Sequence, residues 1–154
     1  MQTYVGLKII KAEPQECQKS IYNSKVGDPG YKVQYEDGYT SWSPVAPFEK
    51  AYRKIDGMTF GMAIELLKTG KKVARKGWNG KGMWLVLMPE LNLPPFSSQE
   101  PGAKVNDRTA KHIGVDVPLN CNPYIVMWTA DKKWQPGWLA SQTDMLAEDW
   151  EIIS

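Results

Sequence analysis

Hydrophobic and polar positions follow two different periods along the chain, and the pattern changes near residues 55–57. Before that point, apolar and polar side chains alternate within residues 31–43, YKVQYEDGYTSWS, as expected for a β-hairpin with one apolar face. Asp37-Gly38 predicts a two-residue turn for this hairpin, because glycine readily adopts the positive φ that such a turn requires.

A helix is predicted directly after the hairpin. Residues 48–55 place four apolar side chains at helical spacing. The helix begins either at Pro44, with Ser43 as its cap, or at Pro47, because proline is tolerated in the first turn of a helix. Residues 1–55 are therefore predicted to form a small accessory module, a β-hairpin followed by a helix, in which we find no motif with recognisable chemistry.

The second segment opens with a clearer helix. Its apolar stripe runs from Phe60 to Leu67, with Thr59 as the expected N-cap and Gly70 as the C-terminal glycine. Apolar stretches then predict strands at residues 73–76, 83–89 and 123–131 and at the end of residues 139–153. The second and third of these strands are apolar on both faces. We therefore expect both faces of the sheet to be covered, one by the helix and the other by a second subunit.

The rest of this segment is rich in proline and glycine. Residues 91–122 predict loops with one short helix at residues 109–113, and Ser141 and Asp144 have the spacing of a capping box at a later helix. A helix followed by an antiparallel sheet gives an α+β fold class. We therefore predict a main domain at residues 58–154, preceded by the hairpin-and-helix module.

Composition and charge exclude several functional classes. The 154 residues carry a formal net charge of +2, too small for a basic nucleic-acid arm, and every apolar run is far too short to cross a bilayer. The sequence shows no secretory signal, and its two cysteines cannot build a disulfide framework, which predicts a cytosolic protein with reduced thiols. His112 is the only histidine, so a zinc site lacks ligands, and no nucleophile-elbow motif accompanies it.

A cationic stretch lies between the predicted helix and the strand at residues 83–89. Residues 68–81 contain six cations and no acid. Two interpretations stay open for it. One is a solvated helix end with an edge strand protected by lysines; the other is an anion site, at which glycine amides approach phosphate oxygens and Arg75 binds one in a fork. The GxxxxGK[ST] spacing of a P-loop is absent.

Trp78 lies in the glycine-rich part of this stretch, RKGWNGKGM. We call residues 77–82 the glycine loop. It is either a core residue or, because a turn is hard to bury, a platform that stacks on a base. Asn79 either reads a base edge or occupies the left-handed position of the turn. Asp144 completes the capping box and can also accept hydrogen bonds from a ligand. Asp149 is expected to be exposed, and no pair of carboxylates is placed for acid–base catalysis.

Residues 58–150 resemble a small phage-encoded family, the second type of Thoeris anti-defence protein. The resemblance rests on RKGWNGKGM, PYIVMWTAD and GWLASQTDMLAEDW, which occur in the family's order. Residues 1–55 resemble a separate module of phage proteins, without a known activity, that the shortest family members lack. This module and the divergent residues 92–122 can alter pocket access, subunit packing or ligand range.

The resemblance implies a sponge rather than an enzyme. Bacterial Thoeris defence makes a cyclic ADP-ribose isomer, glycocyclic ADP-ribose, as an alarm signal, and the family binds this signal in the host cytoplasm without cleaving it. Some members also hold cyclic dinucleotides at a separate site. The family assembles as a homotetramer, a dimer of dimers, with its pockets at subunit interfaces. Such a sponge requires no cofactor, metal, membrane or nucleic-acid polymer.

The resemblance also implies a set of ligand-binding residues. Trp78 would stack on the base, and Arg75 with the amides of residues 77–82 would bind the diphosphate. Polar groups of the ribose and base would be bound by Asn79, Thr129, Gln142 and Asp144. The complete predicted set is Arg75, Trp78, Asn79, Gly80, Lys81, Met83, Thr129, Gln142 and Asp144.

Three other functions stay open from the residues alone, and one of them, a virion or structural component, has no sequence feature that speaks for it directly. An enzyme that degrades cyclic nucleotides would need a general base, for which His112 and Asp144 are the candidates. A single-stranded nucleic-acid binder would use the cationic loop and the tryptophans, although the net charge of +2 argues against it.

Overall fold

The computed structural model describes residues 1–3, 6–21, 23–78 and 81–154, and these form two compact units, Met1–Met58 and Thr59–Ser154. Each unit combines helix with antiparallel sheet, so the predicted α+β class is confirmed. The candidate site belongs to the second unit.

The first unit is a three-stranded antiparallel sheet with one short helix. Its elements are β1 (Lys11–Pro14), β2 (Gly30–Gln34), β3 (Thr40–Pro44) and α1 (Val45–Ala51). β2 is the central strand, and β2 with β3 forms the predicted hairpin. Val33 of β2 is buried, and Tyr31 stacks on Phe48 of α1 with ring centroids 4.1 Å apart. β1 has no counterpart in the prediction.

The turn of the hairpin differs from the two-residue turn expected at Asp37-Gly38. The Gly38 amide donates to the Tyr35 carbonyl at 3.0 Å, and the Tyr35 amide donates to the Tyr39 carbonyl at 2.9 Å. Glu36 and Asp37 are therefore the central residues of the turn. Gly38 follows them with a φ of +85°, so glycine is required for its left-handed conformation outside the central pair.

Helix α1 shows how two prolines fit the start of a helix. Pro44 occupies the N-cap position without a side-chain cap, so the expected Ser43 cap is wrong, and Pro47 is the third helical residue. Amides of the first helical turn have no partner inside the helix, so the missing N–H of Pro47 costs no hydrogen bond. The helix ends at Ala51 and is followed by extended Tyr52. The predicted continuation beyond this point is wrong.

The second unit contains most of the secondary structure. Its elements are α2 (Phe60–Lys68), β4 (Lys72–Arg75), β5 (Trp84–Met88), β6 (Leu91–Leu93), α3 (Asp107–Ile113), β7 (Leu119–Cys121), β8 (Tyr124–Trp128), β9 (Trp134–Pro136), α4 (Gln142–Met145) and β10 (Trp150–Ile153). Five strands form one antiparallel sheet in the order β10-β4-β5-β8-β9. α2 begins at the predicted N-cap, where the Thr59 hydroxyl accepts the Met62 amide.

Helix α2 covers one face of this sheet, as predicted. It packs on β4, β5 and β10 through the apolar stripe of Ala63, Leu66 and Leu67. Val73 and Leu85 lie opposite each other in neighbouring strands, and both are fully buried. This apolar layer fixes the end of β4, and the chain continues from there into the glycine loop.

The other face carries three tryptophans of neighbouring strands. Trp84 lies opposite Trp128, and Trp128 lies opposite Trp134. The Trp84 and Trp128 rings stack with centroids 5.9 Å apart, and the Lys72 ammonium lies 4.8 Å from the Trp84 centroid. We call Trp84, Trp128 and Trp134 the tryptophan face. The expectation that a second subunit covers it stays a prediction.

Residues 91–122 contain more structure than the predicted loops. β6 pairs with β7, with Asn92 opposite Asn120. The expected short helix is confirmed as α3, which begins two residues earlier because the Asn106 side chain accepts the Thr109 amide at 2.9 Å. Three-residue strands offer too few alternating positions to be recognised from their pattern.

Candidate functional site

Arg75 is the last residue of β4, and two carboxylates hold its guanidinium. Its Nε donates to Asp149 Oδ1 at 2.8 Å, and its Nη1 donates to Asp144 Oδ1 at 2.7 Å. A longer contact of 3.4 Å joins Nη2 to Asp149 Oδ2. The Arg75 side chain is only 12% exposed. In this structure its fork, which the sequence suggested for a phosphate, is directed at protein carboxylates.

Asp149 joins the arginine to the start of the glycine loop. Its Oδ2 accepts the Gly77 amide at 2.7 Å, and its carbonyl accepts the Lys76 amide at 3.2 Å. These residues begin a 3₁₀ turn that ends at Trp78. A Cβ at Gly77 would lie 2.8 Å from Asp149 Oδ2 and 3.0 Å from Arg75 Nη2. A side chain at this position would therefore displace the carboxylate of Asp149 or the guanidinium of Arg75.

Asp144 is the second centre of hydrogen bonding. Its Oδ1 accepts the indole N–H of Trp78 at 3.2 Å as well as the guanidinium of Arg75. Its Oδ2 accepts the amide and the hydroxyl of Ser141 at 3.2 and 2.7 Å, and the Ser141 hydroxyl accepts the Asp144 amide at 3.1 Å. The predicted capping box is thus formed. The same carboxylate both caps α4 and orients two residues of the candidate site.

Trp78 belongs to an aromatic cluster at the start of α2. Its ring meets Trp138 and Trp150 at steep angles, with centroids 6.1 and 5.4 Å away. Phe60 of α2 contacts both of these rings, at 6.4 and 5.4 Å. Trp150 is fully buried and donates its indole N–H to the Asp144 carbonyl at 3.0 Å. Trp78 itself is half-buried, so it packs on the core while part of the ring faces solvent.

The charges of the cluster stabilise one another. Hydrogen bonds from Arg75 hold the pKa of Asp149 below its ordinary value, against the opposing effect of burial. For Asp144, burial is the largest effect and raises the pKa, but hydrogen bonds from Ser141, Arg75 and Trp78 together outweigh it and lower the pKa. The hydrogen bond to Asp149 is the main cause that raises the pKa of Arg75. At neutral pH the cluster therefore holds one positive and two negative charges.

Met83 and Thr129 lie at the same end of the sheet as Arg75. Met83 directly precedes β5 and Thr129 directly follows β8, and the strand register places both at this end. The Thr129 hydroxyl donates to the Asp131 carboxylate and accepts the Lys133 amide at 3.0 Å. Thr129 is therefore hydrogen-bonded within the β8–β9 turn.

The other predicted ligand residues are less closely placed. Lys81 is exposed, and Gln142 is the exposed first residue of α4. Asn79 and Gly80 lie outside the described residues. Direct side-chain contact joins three members of the predicted set: Arg75, Asp144 and Trp78.

Asp149 is the principal residue of the cluster that the sequence prediction missed. The expectation of an exposed carboxylate is wrong, because its side chain is 31% exposed and accepts hydrogen bonds from Arg75 and Gly77. Trp138 and Trp150 were not predicted either. All three missed residues lie within the family-like motif GWLASQTDMLAEDW, which is the signal that could have indicated them.

The described residues show no group of three or more histidine, cysteine, aspartate or glutamate side chains arranged to hold a metal ion. His112 lies in the last turn of α3. Within the described part of the chain, no helix combines the length and the apolar character needed to span a membrane.

The second unit has the sequence of a known class of anti-defence domain. Residues 58–153 match the Thoeris anti-defense 2-like domain, and the chain belongs to this family. A curated relative, Thoeris anti-defense 2 of Bacillus phage SP01, is 40% identical over 97 residues, which cover 63% of this chain and 96% of the relative. The family predicted from the motifs is therefore confirmed, and it assigns the chain a phage anti-defence role. The family's description names no enzyme class.

Proposed function

We propose that this protein sequesters, without cleaving it, the cyclic ADP-ribose isomer that signals in Thoeris immunity, glycocyclic ADP-ribose. It would act in the cytoplasm of the infected bacterial host. Family membership supports the anti-defence role. The structural observation that carries the proposal is the fixed position of Trp78 at the start of the glycine loop, where Asp144 accepts its indole N–H at 3.2 Å.

Trp78 is suited to stack on the base of the signal. Trp138 and Trp150 pack on the ring at steep angles, and the half-buried ring keeps part of its surface accessible. Stacking of a base on such a ring contributes about 1–3 kcal/mol. Because the orientation of the ring is already fixed, ligand binding would not have to order it, which improves affinity.

The diphosphate of the signal needs hydrogen-bond donors and positive charge. The Gly77 amide already donates to Asp149, so the loop amides proposed for the phosphates are those that follow Trp78, in residues 79–82. Lys81 is exposed near the far end of this loop and would supply charge. A guanidinium has five N–H groups, and a contact between Arg75 and the diphosphate would use those not directed at its two carboxylates.

The cluster favours binding over catalysis. Asp144, one of the two candidate general bases, already accepts four hydrogen bonds, from Arg75, Trp78 and the amide and hydroxyl of Ser141. Its pKa is lowered, although burial by itself would raise it. A carboxylate with a low pKa is a weak base at neutral pH. A protein that holds its signal intact needs tight binding and no base.

Assembly into a homotetramer, a dimer of dimers with pockets at its interfaces, is part of the proposal. The tryptophan face leaves Trp134 43% exposed, and the rings of Trp84 and Trp128 are half-buried. Burial of exposed aromatic surface is favourable, by about 25 cal/mol per Å². A second subunit on this face would supply that burial. The proposal also includes a separate site at which the same protein binds cyclic dinucleotides.

A capture-and-release experiment tests the proposal. Purified protein is mixed with glycocyclic ADP-ribose, with other cyclic ADP-ribose isomers or with cyclic dinucleotides, filtered, and then denatured by heat. Mass spectrometry identifies what is left in the filtrate and what is released. We expect depletion of glycocyclic ADP-ribose from the filtrate and its recovery intact.

Other outcomes would identify the alternatives. A converted product would indicate a degrading enzyme and direct attention to His112 and Asp144. Binding of single-stranded oligonucleotides that weakens steeply with salt would indicate a nucleic-acid binder. Absence of depletion for every small molecule would contradict the sponge.

Substitution of Trp78 tests the stacking role separately. We expect Trp78→Ala to lose capture, while light scattering still shows the wild-type oligomer. Trp78→Phe retains an aromatic ring but loses the N–H donor to Asp144, so we expect an intermediate affinity by calorimetry. Wild-type affinity in Trp78→Ala would refute stacking on this ring.

A further inference from the structure

We infer that Asp149 is a positioning residue of the proposed signal-binding site, which holds the glycine loop and, through Arg75, the ring of Trp78 without touching the ligand. This inference rests on the proposed function. It concerns a carboxylate that the predicted ligand set does not contain.

The first step is the direct bond to the loop. Asp149 Oδ2 accepts the Gly77 amide at 2.7 Å, and the Asp149 carbonyl accepts the Lys76 amide at 3.2 Å. Two consecutive amides of the chain are thus fixed by one residue of a distant segment. They begin the 3₁₀ turn that ends at Trp78, so the direction in which the loop leaves β4 depends on Asp149.

The second step passes through the guanidinium. Asp149 accepts Nε of Arg75 at 2.8 Å and contacts Nη2 at 3.4 Å, which fixes the plane of the group. In that plane Nη1 reaches Asp144 Oδ1 at 2.7 Å. The same oxygen accepts the indole N–H of Trp78. Loss of the Asp149 charge would free the guanidinium of Arg75 to turn. Asp144, which accepts the indole N–H of Trp78, would then lose its charged hydrogen bond from Arg75.

The alternative role of Arg75 makes the opposite prediction. If Arg75 bound a ligand phosphate as its main task, Asp149 would compete with that phosphate for the same N–H groups. Removing the Asp149 charge would then strengthen the binding of an anionic ligand. If Asp149 positions the loop, removing its charge weakens binding even though the site becomes less negative.

Asp149→Asn is therefore the decisive variant, and Glu148→Gln is its matched control. Glu148 is an exposed neighbour, and its substitution removes the same charge. Calorimetry with glycocyclic ADP-ribose, well below the melting temperature of each protein, measures affinity separately from stability. We expect at least about tenfold weaker binding for Asp149→Asn, as for the loss of a charged hydrogen bond, and wild-type affinity for Glu148→Gln. Equal or tighter binding by folded Asp149→Asn would overturn the inference.

Gly77→Ala provides a second variant that keeps every charge, in case Asp149→Asn does not fold. The added Cβ would come within 2.8 Å of Asp149 Oδ2, so the carboxylate or the loop must move. We expect weaker binding here too, and full affinity would count against positioning by Asp149.

Hydrogen exchange of the Gly77 amide in the ligand-free protein separates this inference from the proposed function. We expect a protected amide in the wild type and in Glu148→Gln, and exchange at least about tenfold faster in Asp149→Asn. If the wild type binds no glycocyclic ADP-ribose, the proposed function fails while this exchange still tests the positioning. A Gly77 amide that exchanges equally fast in all three proteins would refute it.

Discussion

Arg75 and Trp78 donate to the same oxygen atom, Asp144 Oδ1, at 2.7 and 3.2 Å. The charged donor is the closer one, as expected for a charge-assisted hydrogen bond. A strand residue and a loop residue thus share one acceptor, and that acceptor also caps α4 through Ser141. The orientation of the proposed stacking platform therefore depends on one carboxylate staying ionised.

The pH dependence of stability follows from the two carboxylates around Arg75. Hydrogen bonds from Arg75 lower the pKa of Asp149, and those from Ser141, Arg75 and Trp78 lower that of Asp144 despite its burial. An unfolded chain, with ordinary aspartate pKa values of about 3.9, takes up protons first as the pH falls. Their stabilisation is therefore complete above that value and is lost as the pH falls through the folded pKa values. We expect urea midpoints to fall steeply below about pH 4.

The control for this prediction is again a pair of variants. Asp149→Asn lacks one of the two carboxylates whose pKa is lowered. We therefore expect its urea midpoint to fall less steeply with pH than that of the wild type. Glu148→Gln should retain the wild-type slope, since Glu148 is an exposed carboxylate. Identical slopes for all three proteins would show that the cluster does not determine acid stability.

Trp150 connects the aromatic cluster to the core. It is fully buried, and its indole N–H donates to the Asp144 carbonyl at 3.0 Å. Trp150→Phe removes ring volume and a donor, so we expect the free energy of unfolding to fall by about 2–3 kcal/mol in urea titrations. Glu148→Gln, at an exposed position, should change it by less than about 0.5 kcal/mol. Equal losses would contradict the assignment of Trp150 to the core.

The N-caps of α2 and α3 should differ in strength. The Asn106 side chain accepts the Thr109 amide at 2.9 Å, whereas the Thr59 hydroxyl accepts the Met62 amide at 3.4 Å. The shorter bond is the stronger one. We expect Asn106→Ala to lower the free energy of unfolding by about 1 kcal/mol and Thr59→Ala by less. Urea titrations of both variants check the order, and the reverse order would show that the bond lengths do not determine cap strength.

The first unit should be dispensable for signal binding. The contacts described above for the candidate site join residues of the second unit, and the family match begins at residue 58. We expect a fragment of residues 58–154 to bind glycocyclic ADP-ribose within about threefold of the full chain, a difference below about 0.7 kcal/mol. The fragment must first show a cooperative melting transition. A folded fragment with much weaker binding would give the first unit a part in the site.

The sequence predicted those elements in which several local signals agree. For α2, the apolar spacing, the Thr59 cap and Gly70, with its φ of +80°, all indicate the same helix. For β1, all four residues are exposed, so no alternation marks the strand. Its pairing with β2 depends on contacts distant in sequence, which no local pattern contains.

The same limit applies to the candidate site. The prediction singled out Arg75 and Trp78 within RKGWNGKGM, but residues 68–81 contain no acid that could have indicated a partner for Arg75. The two carboxylates lie 69 and 74 positions further along the chain. Pairing of β10 with β4 brings them back to the loop. The pairing of Arg75 with these two carboxylates therefore appears only in the folded structure.

That distance along the chain has a consequence for protein synthesis. The ribosome releases the cationic loop well before it has polymerised the segment with Asp144 and Asp149, since 74 residues separate Arg75 from the later carboxylate. A nascent chain at that stage exposes Trp78 and carries an unpaired guanidinium. Domains fold as units once their strands are complete. Each molecule would therefore become competent to capture a signal only after the segment with Asp144 and Asp149 has left the ribosome and paired with Arg75.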